Sequence, residues 1–238
     1  MTPNFSGTKS DREEPICIGQ DINLTGVIND STWVYEIPDK SEEENPHKIP
    51  DSNDYIAKFD YRVFEKTEFV TDGSEIDTVM VKLEHNNLAD VQVELICPNG
   101  STIILKSFGG QDGIDLGVPN TINPNTVGTA YTYYWTDFGT NTAMNDVTIS
   151  LPDTIMPEGY YGSQSNFSSL AGCPLNGEWK IKVIGDATDN QGYVVASQLT
   201  LKGLQTFTDW EYSHTYDLSP NPEWTGESGH VGSTVLLK

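Results

Sequence analysis

The sequence predicts an all-β fold, a sandwich or a barrel, and three observations carry that prediction. Almost nothing in the chain has helical periodicity. Short runs rich in Val, Ile, Tyr and Thr alternate apolar with polar residues, the period of a half-buried strand. Between those runs lie 21 Gly and 13 Pro among 238 residues, with many Asn, Asp, Ser and Thr, the residue types that close tight turns. A chain of this length holds one large all-β domain or two small ones, and it can bury a sizeable core.

Taken in order, Cys17-Ile18-Gly19-Gln20-Asp21-Ile22-Asn23-Leu24-Thr25-Gly26 reads as an opening strand. Lys40-Ser41-Glu42-Glu43-Glu44-Asn45-Pro46 reads as an acidic, proline-ended linker. The cleanest alternations follow: Val79-Val81-Leu83, Val91-Val93-Leu95-Cys97, Trp179-Ile181-Val183 and Tyr193-Val195-Ser197-Leu199-Leu201. The positions between them, such as Lys82, Gln92, Glu94, Lys180, Lys182, Gln198 and Lys202, are polar, so one face is core and the other meets water. Ile103-Ile104-Leu105 is a continuous apolar run and fits a more deeply covered strand. Asn99-Gly100 and Gly177-Glu178 supply turn chemistry. Tyr212 to Leu218, Trp224-Thr225-Gly226 and Ser233-Thr234-Val235-Leu236-Leu237 read as closing strands, and no internal repeat of 20 to 50 residues stands out.

Charge excludes some function classes. Thirteen Lys and Arg against 35 Asp and Glu give a formal net charge of −22, which repels phosphate backbones and anionic membranes and draws in cations. Nucleic acid is excluded as a partner on this ground. The same charge also serves simply to keep a secreted protein soluble. No run approaches the roughly 20 apolar residues that span a bilayer, so membrane insertion is not expected, and Met1 to Ser10 is polar rather than a basic-then-apolar signal.

Two blocks carry a family resemblance. One is Glu84-His85-Asn86-Asn87-Leu88-Ala89-Asp90-Val91-Gln92-Val93-Glu94-Leu95-Ile96-Cys97-Pro98-Asn99-Gly100, and the other is Gly172-Cys173-Pro174-Leu175-Asn176-Gly177-Glu178-Trp179-Lys180-Ile181. Each couples a polar loop or turn to an alternating strand, and each contains a Cys-Pro-(Leu)-Asn-Gly turn. Together they resemble the P domain, the β-sandwich that follows the subtilisin-type catalytic domain in proprotein convertases. Above all they resemble the form in large secreted proteins of gliding bacteria, many of them cargo of the type IX secretion system. The resemblance spans about residues 49 to 204 and implies a jelly-roll-like β-sandwich there. Residues 1–48 and 205–238 then supply flanking strands that look immunoglobulin-like or PKD-like, so the P domain is inserted into a small sandwich or lies between pieces of two. It also implies export, and hence that the chain is a piece of a longer precursor whose address lies outside it.

The resemblance places Cys97 and Cys173 in the two turns and implies an oxidising exterior, in which they would pair as a disulfide; two buried free thiols are the alternative. Cys17 is the odd one. No two of the three cysteines have zinc-site spacing.

Catalysis is not expected. There is no Gly-x-Ser-x-Gly elbow, and the convertase catalytic domain is absent. His85 occupies the place of the family's histidine and reads as a hydrogen-bonding loop residue that pins the end of a strand; His47, His214 and His230 have no ligand-like spacing. Asp90 matches the acid of the family's Gly-Asp-Leu turn, here Ala89-Asp90-Val91, and reads as a loop-fixing carboxylate.

Calcium is the sharper expectation, since hard cations take six to eight oxygens and Asp- and Asn-rich loops supply them. Asp186, Asp189 and Asn190 in one loop and Asp112 and Asp115 in another, with Asp90, are the candidate ligands, against a reading as ordinary Asx turns. The resemblance adds that some bacterial P domains hold calcium. The run Tyr131-Thr132-Tyr133-Tyr134-Trp135 puts Tyr131, Tyr133 and Trp135 on one side. Those rings with Asp137 form either core or a sugar-stacking platform.

The expected function is a non-catalytic, extracellular structural or adhesive module of a large secreted or surface bacterial protein. It would present loops to a glycan or a cell-surface protein, beside neighbouring domains of the same polypeptide. A carbohydrate-binding module, or an accessory domain of a secreted subtilisin-type protease, is the alternative.

Overall fold

A computed structural model describes residues 9–10, 22–25, 31–38, 40–49, 54–150, 152, 154–186, 191–207, 210–214, 230–231 and 234–237. The described residues are strands, turns and short 3₁₀ segments, an all-β sandwich as the alternation predicts. Chain contacts divide the protein into two compact units, one of Ile37–Thr208 and one of Met1–Glu36 with Asp209–Lys238.

The outer unit begins with β1 (Lys9–Ser10), β2 (Ile22–Thr25) and β3 (Ser31–Tyr35) and ends with β15 (Trp210–His214), β16 (His230–Val231) and β17 (Thr234–Leu237). One sheet has the order β1-β2-β17-β16, and β15 pairs β3. Strands from the two ends of the chain thus pair with each other, Leu24 opposite Val235 and Trp33 opposite Tyr212.

The inner unit contains β4 (Lys40–Ile49), β5 (Tyr55–Tyr61), β6 (Ile76–His85), β7 (Val91–Ile96), β8 (Thr102–Lys106), β9 (Asp115–Leu116), β10 (Tyr131–Thr136), β11 (Ile155–Met156), β12 (Gly159–Gly162), β13 (Gly177–Gly185) and β14 (Gly192–Leu201). One sheet is four-stranded, β5-β13-β7-β8. The other is seven-stranded: β14 lies between β4 and β6, β10 follows β6, β12 joins β10 in parallel, and the short parallel pair β9–β11 meets the last residue of β6. Lys40–Pro46, expected as a linker, is therefore part of a strand that pairs with β14. Polar composition alone did not separate an edge strand from a linker, because an edge strand needs few apolar residues.

The core lies between the sheets. Tyr55, Ala57, Phe59 and Tyr61 on β5, Trp179, Ile181 and Val183 on β13, and Val91, Val93 and Leu95 on β7 are buried. They belong to one apolar cluster with Val79, Val81 and Leu83 on β6 and Tyr133 and Trp135 on β10. Each Val, Leu, Ile or Phe among them contributes about 1.5–3 kcal/mol by leaving water. Two tyrosines tie the layers: Tyr61 Oη donates to the Leu199 carbonyl at 2.7 Å, and Tyr55 Oη meets Ser197 Oγ at 2.9 Å.

In β14 the expected alternation fails halfway. Ser197, Leu199 and Leu201 are buried as it predicts, but the core takes Val194 and leaves out Val195. The register slips between Val194 and Ala196 against both neighbouring strands. A bulge of this kind inserts one residue and exchanges the two faces of the strand. Tyr193 is thereby turned away from the inter-sheet core.

Candidate functional site

The two Cys-Pro turns come together at one end of the inner unit. Cys97 and Cys173, 76 residues apart in sequence, are bonded through their sulfurs with Cα atoms 6.1 Å apart. Around them the turn residues close on backbone. Asn176 Nδ2 donates to the Phe64 carbonyl at 2.7 Å, and the Phe64 N–H returns to Asn176 Oδ1 at 3.0 Å. Trp179 Nε1 donates to the Leu175 carbonyl at 3.1 Å, and the Ser101 N–H to Asn99 Oδ1 at 2.9 Å.

The opposite end holds the polar loops. Here β6 ends at His85, β14 begins opposite it at Gly192, and the start of β7 faces the end of β13. Gly192 permits the close approach, since a Cβ there would lie 2.1 Å from the Glu84 carbonyl oxygen and 2.7 Å from His85 Cδ2. Asn87 organises the loop. Its Oδ1 accepts the Ala89 N–H at 3.1 Å and the Gly113 N–H at 3.3 Å, while its Nδ2 donates to Asp90 at 3.0 Å and Asp112 at 2.9 Å. The Asp186 N–H donates to the Asp90 carbonyl at 2.7 Å.

Of the candidate calcium ligands, Asp90 and Asp112 converge on one amide, and exposed Asp186 lies beside the Asp90 backbone. Asp115 belongs to another strand, where its N–H donates to the Thr154 carbonyl and burial raises its carboxyl above the usual range. Asp189 and Asn190 lie outside the described residues. Among the described residues no three His, Cys, Asp or Glu side chains are grouped as metal ligands.

A cation of the protein's own sits beside Asp90. Lys106 is 1% exposed, and its ammonium donates to the carbonyls of Val91 at 2.7 Å, Ser107 at 2.9 Å and Gly109 at 3.3 Å. Burial pushes it down to about 7, and the Asp90 charge opposes that shift. Three acceptors match the three N–H groups of the protonated form, whereas a neutral amine has two.

Glu84 and His85 are adjacent buried groups displaced in opposite senses. Burial, reinforced by the Asp115 charge, raises Glu84 to about 7; burial lowers His85 to about 4. His85 Nδ1 lies 2.9 Å from the Asn87 carbonyl and 3.1 Å from the Asn87 N–H, which pins the end of β6 to the following turn. Its Nε2 has no hydrogen-bond partner among the described residues. Glu84 is 2% exposed; Oε1 accepts the Gly128 N–H at 3.4 Å, and Oε2 has no partner among the described residues.

Glu84 is covered by the loop between Val118 and Thr129, whose backbones pair in both directions at 2.8 Å. Gly117 at φ +62° brings that loop in, for a Cβ there would lie 2.5 Å from the Thr129 carbonyl oxygen and 3.1 Å from Glu84 Cβ. Lys48 Nζ holds the loop through Asn125 Oδ1 at 3.0 Å, and Tyr193 Oη through the Pro124 carbonyl at 3.3 Å. Beneath it is a recess of ≈ 210 Å³ lined by Glu84, Asn86, Gln191, Tyr193 and roof residues from Pro119 to Thr126. The sequence reading passed over Glu84, Lys106 and this loop. Alternation places Glu84 with Lys82 on the solvent side, and only the distant loop turns that position into a buried one.

The aromatic run corrects the platform expectation. Tyr133 and Trp135 are buried at 0% and 1% exposure, so neither face can receive a sugar. Tyr133 Oη accepts the Gly117 N–H at 2.8 Å and donates to the Met156 carbonyl at 3.2 Å, and Tyr131 packs half-buried against the core. Asp137 accepts the N–H groups of Phe138 at 2.8 Å and Phe167 at 2.6 Å, which ties two loops together. The rings on the outer side are Tyr134 and Tyr160, stacked at 4.6 Å. Among the described residues no helix is long and apolar enough to cross a membrane. Neither a family model nor a curated protein matches the chain.

Proposed function

We propose that the inner unit is a P-domain-like, non-catalytic structural or adhesive module of a larger secreted or surface bacterial protein, and that it presents its polar loop end to a glycan or a cell-surface protein. The observation that carries this reading is the Cys97–Cys173 bond, which joins the two turns on which the resemblance rests. Disulfides persist in oxidising, extracellular compartments. A net charge of −22 is in keeping with a soluble exported protein. Catalysis has no role in this reading.

Retention of the full chain on a glycan array or on intact bacterial cells tests it. Binding to either surface, lost on reduction of the disulfide, is the expected result; a chain that adheres to neither overturns the reading. Calcium belongs to it as a stiffener of the polar end beside Asp90, Asp112 and Asp186. Melting should rise with calcium and fall with chelator through mass action, and superimposable curves would remove the ion from the proposal.

A further inference from the structure

On the outer face of the seven-stranded sheet two rings from neighbouring strands stand together. Tyr134 of β10 is in register with Tyr160 of β12, and the rings stack at 4.6 Å with 16° between their planes. Both alternate with buried neighbours, Tyr133, Trp135 and Tyr161, which holds them on the side away from the core. β12 ends the sheet there. Tyr160 is 59% exposed although Tyr134 covers one of its faces, so its other face is bare. The stack fixes that face in place before any ligand arrives.

A polar groove opens beside the rings. In the next row Thr136 stands opposite Gly162, and exposed Asn141 donates through Nδ2 to Thr136 Oγ1 at 2.8 Å. Thr136 is also a wall of a groove of ≈ 420 Å³, shared with Asp72, Asp77, Asp137, Thr140 and Lys202. A second slip in β14, between Thr200 and Leu201, leaves Asp77 of β6 without an opposite residue in β14 and turns it outward. Asp77, Thr140 and Lys202 are exposed, so carboxylate, hydroxyl and ammonium all reach water there. Asp137 is held by the N–H groups of Phe138 and Phe167.

Charge, area and ring chemistry select the occupant. A second copy of the chain, a nucleic acid or an acidic polymer would bring further negative charge to a chain of net −22. The groove's carboxylates are not grouped as metal ligands, as no three acidic side chains are among the described residues, which sets a cation aside. Two rings offer far less than the roughly 800 Å² per partner that a stable protein interface buries. An aromatic face is negative and draws polarised C–H groups; beside donors and acceptors it suits a pyranose, with its C–H face and rim of hydroxyls. We propose that this surface binds a neutral oligosaccharide, one sugar ring stacked on Tyr160 and a neighbouring one reaching over Thr136 to Asp77, Thr140 and Lys202. The surface lies away from the polar loop end of the adhesive reading and owes nothing to the family resemblance.

The test is a binding titration of the full chain, followed by NMR, with cellohexaose, maltohexaose, mannohexaose and N-acetylchitohexaose in turn. At least one should bind. Tyr160→Ala should weaken that binding about tenfold, the loss of one stacked ring, and Tyr160→Trp, which keeps a flat face, should bind as the parent does. Asp77→Ala should weaken it about fivefold, the loss of one hydrogen bond. Both positions are exposed, and melting curves check that the fold is intact. No binding of any of the four overturns the proposal. So does binding that survives both alanine variants, or that Tyr160→Trp loses as fully as Tyr160→Ala. Retention on bacterial cells that outlasts periodate oxidation of their glycans yet is lost in Tyr160→Ala would make the partner a protein and overturn it as well. Retention on cells or a glycan array that none of the substitutions changes would sink this surface and leave the adhesive reading standing.

Discussion

At the Cys97–Cys173 end of the inner sandwich the turns close upon backbone: Asn176 takes both polar groups of Phe64, and Trp179 Nε1 finds the Leu175 carbonyl. At the Glu84–His85 end, 2% and 0% exposed side chains that can carry charge have no partner for Oε2 and Nε2 among the described residues, and a lysine is buried among carbonyls. The two ends share strands β6, β7, β13 and β14, so the contrast is not one of core quality. It teaches that one end serves stability and the other tolerates a cost in stability, as binding sites do.

Removing the bond at the stable end should have the largest effect. Cys97→Ala with Cys173→Ala frees a 76-residue loop, and loop-closure entropy puts the loss at about 4 kcal/mol. Urea denaturation of variant and parent measures it; a loss below about 1 kcal/mol would erase the distinction between the ends.

Lys106 sharpens the comparison from the other side. Lys106→Ala strips the Val91, Ser107 and Gly109 carbonyls of their donor and should cost about 3 kcal/mol. Lys106→Met fills the same volume without a buried charge and should cost about 1 kcal/mol less than the alanine variant. Equal losses in the two variants would mean that the ammonium, not packing, is what matters there.

The smallest effect is on pH dependence. The Glu84 carboxyl is raised from 4.5 to about 7, so its proton is bound more tightly in the folded chain, and its contribution to stability falls as pH rises through that window. His85 is lowered from 6.5 to about 4, so its contribution falls as pH drops through 6.5 to 4. Between those limits folding moves a proton from imidazole to carboxyl with little net uptake, and the two slopes oppose each other. Glu84→Gln leaves the His85 slope alone. That variant should lose about 2 kcal/mol more than the parent between pH 7 and pH 4 in urea melts. Parallel pH profiles would show that the two groups are not linked to folding as a pair.

Local pattern was enough for the strands and for most of their inward faces. Val79-Val81-Leu83, Val91-Val93-Leu95 and Trp179-Ile181-Val183 alternate with polar residues, and their burial follows because a pleated strand has a period of two. The aromatic run was legible in parity, Tyr133 and Trp135 sharing a side, but not in depth; a ring's exposure depends on what the opposite sheet brings to it. The Lys40–Pro46 strand was missed because its partner, β14, lies over 140 residues along the chain.

By itself, then, the order of residues determined an acidic all-β chain with inward and outward faces and two related turns, since periodicity and turn chemistry act over a few neighbours. Tertiary structure alone decided what stands opposite what. It bonded Cys97 to Cys173, slipped β14 by one residue so that Tyr193 left the core, and laid the Pro119–Gly128 loop over an otherwise outward glutamate. Burial of a polar group is set by atoms distant in sequence, and so no local pattern could have marked Glu84 or Lys106.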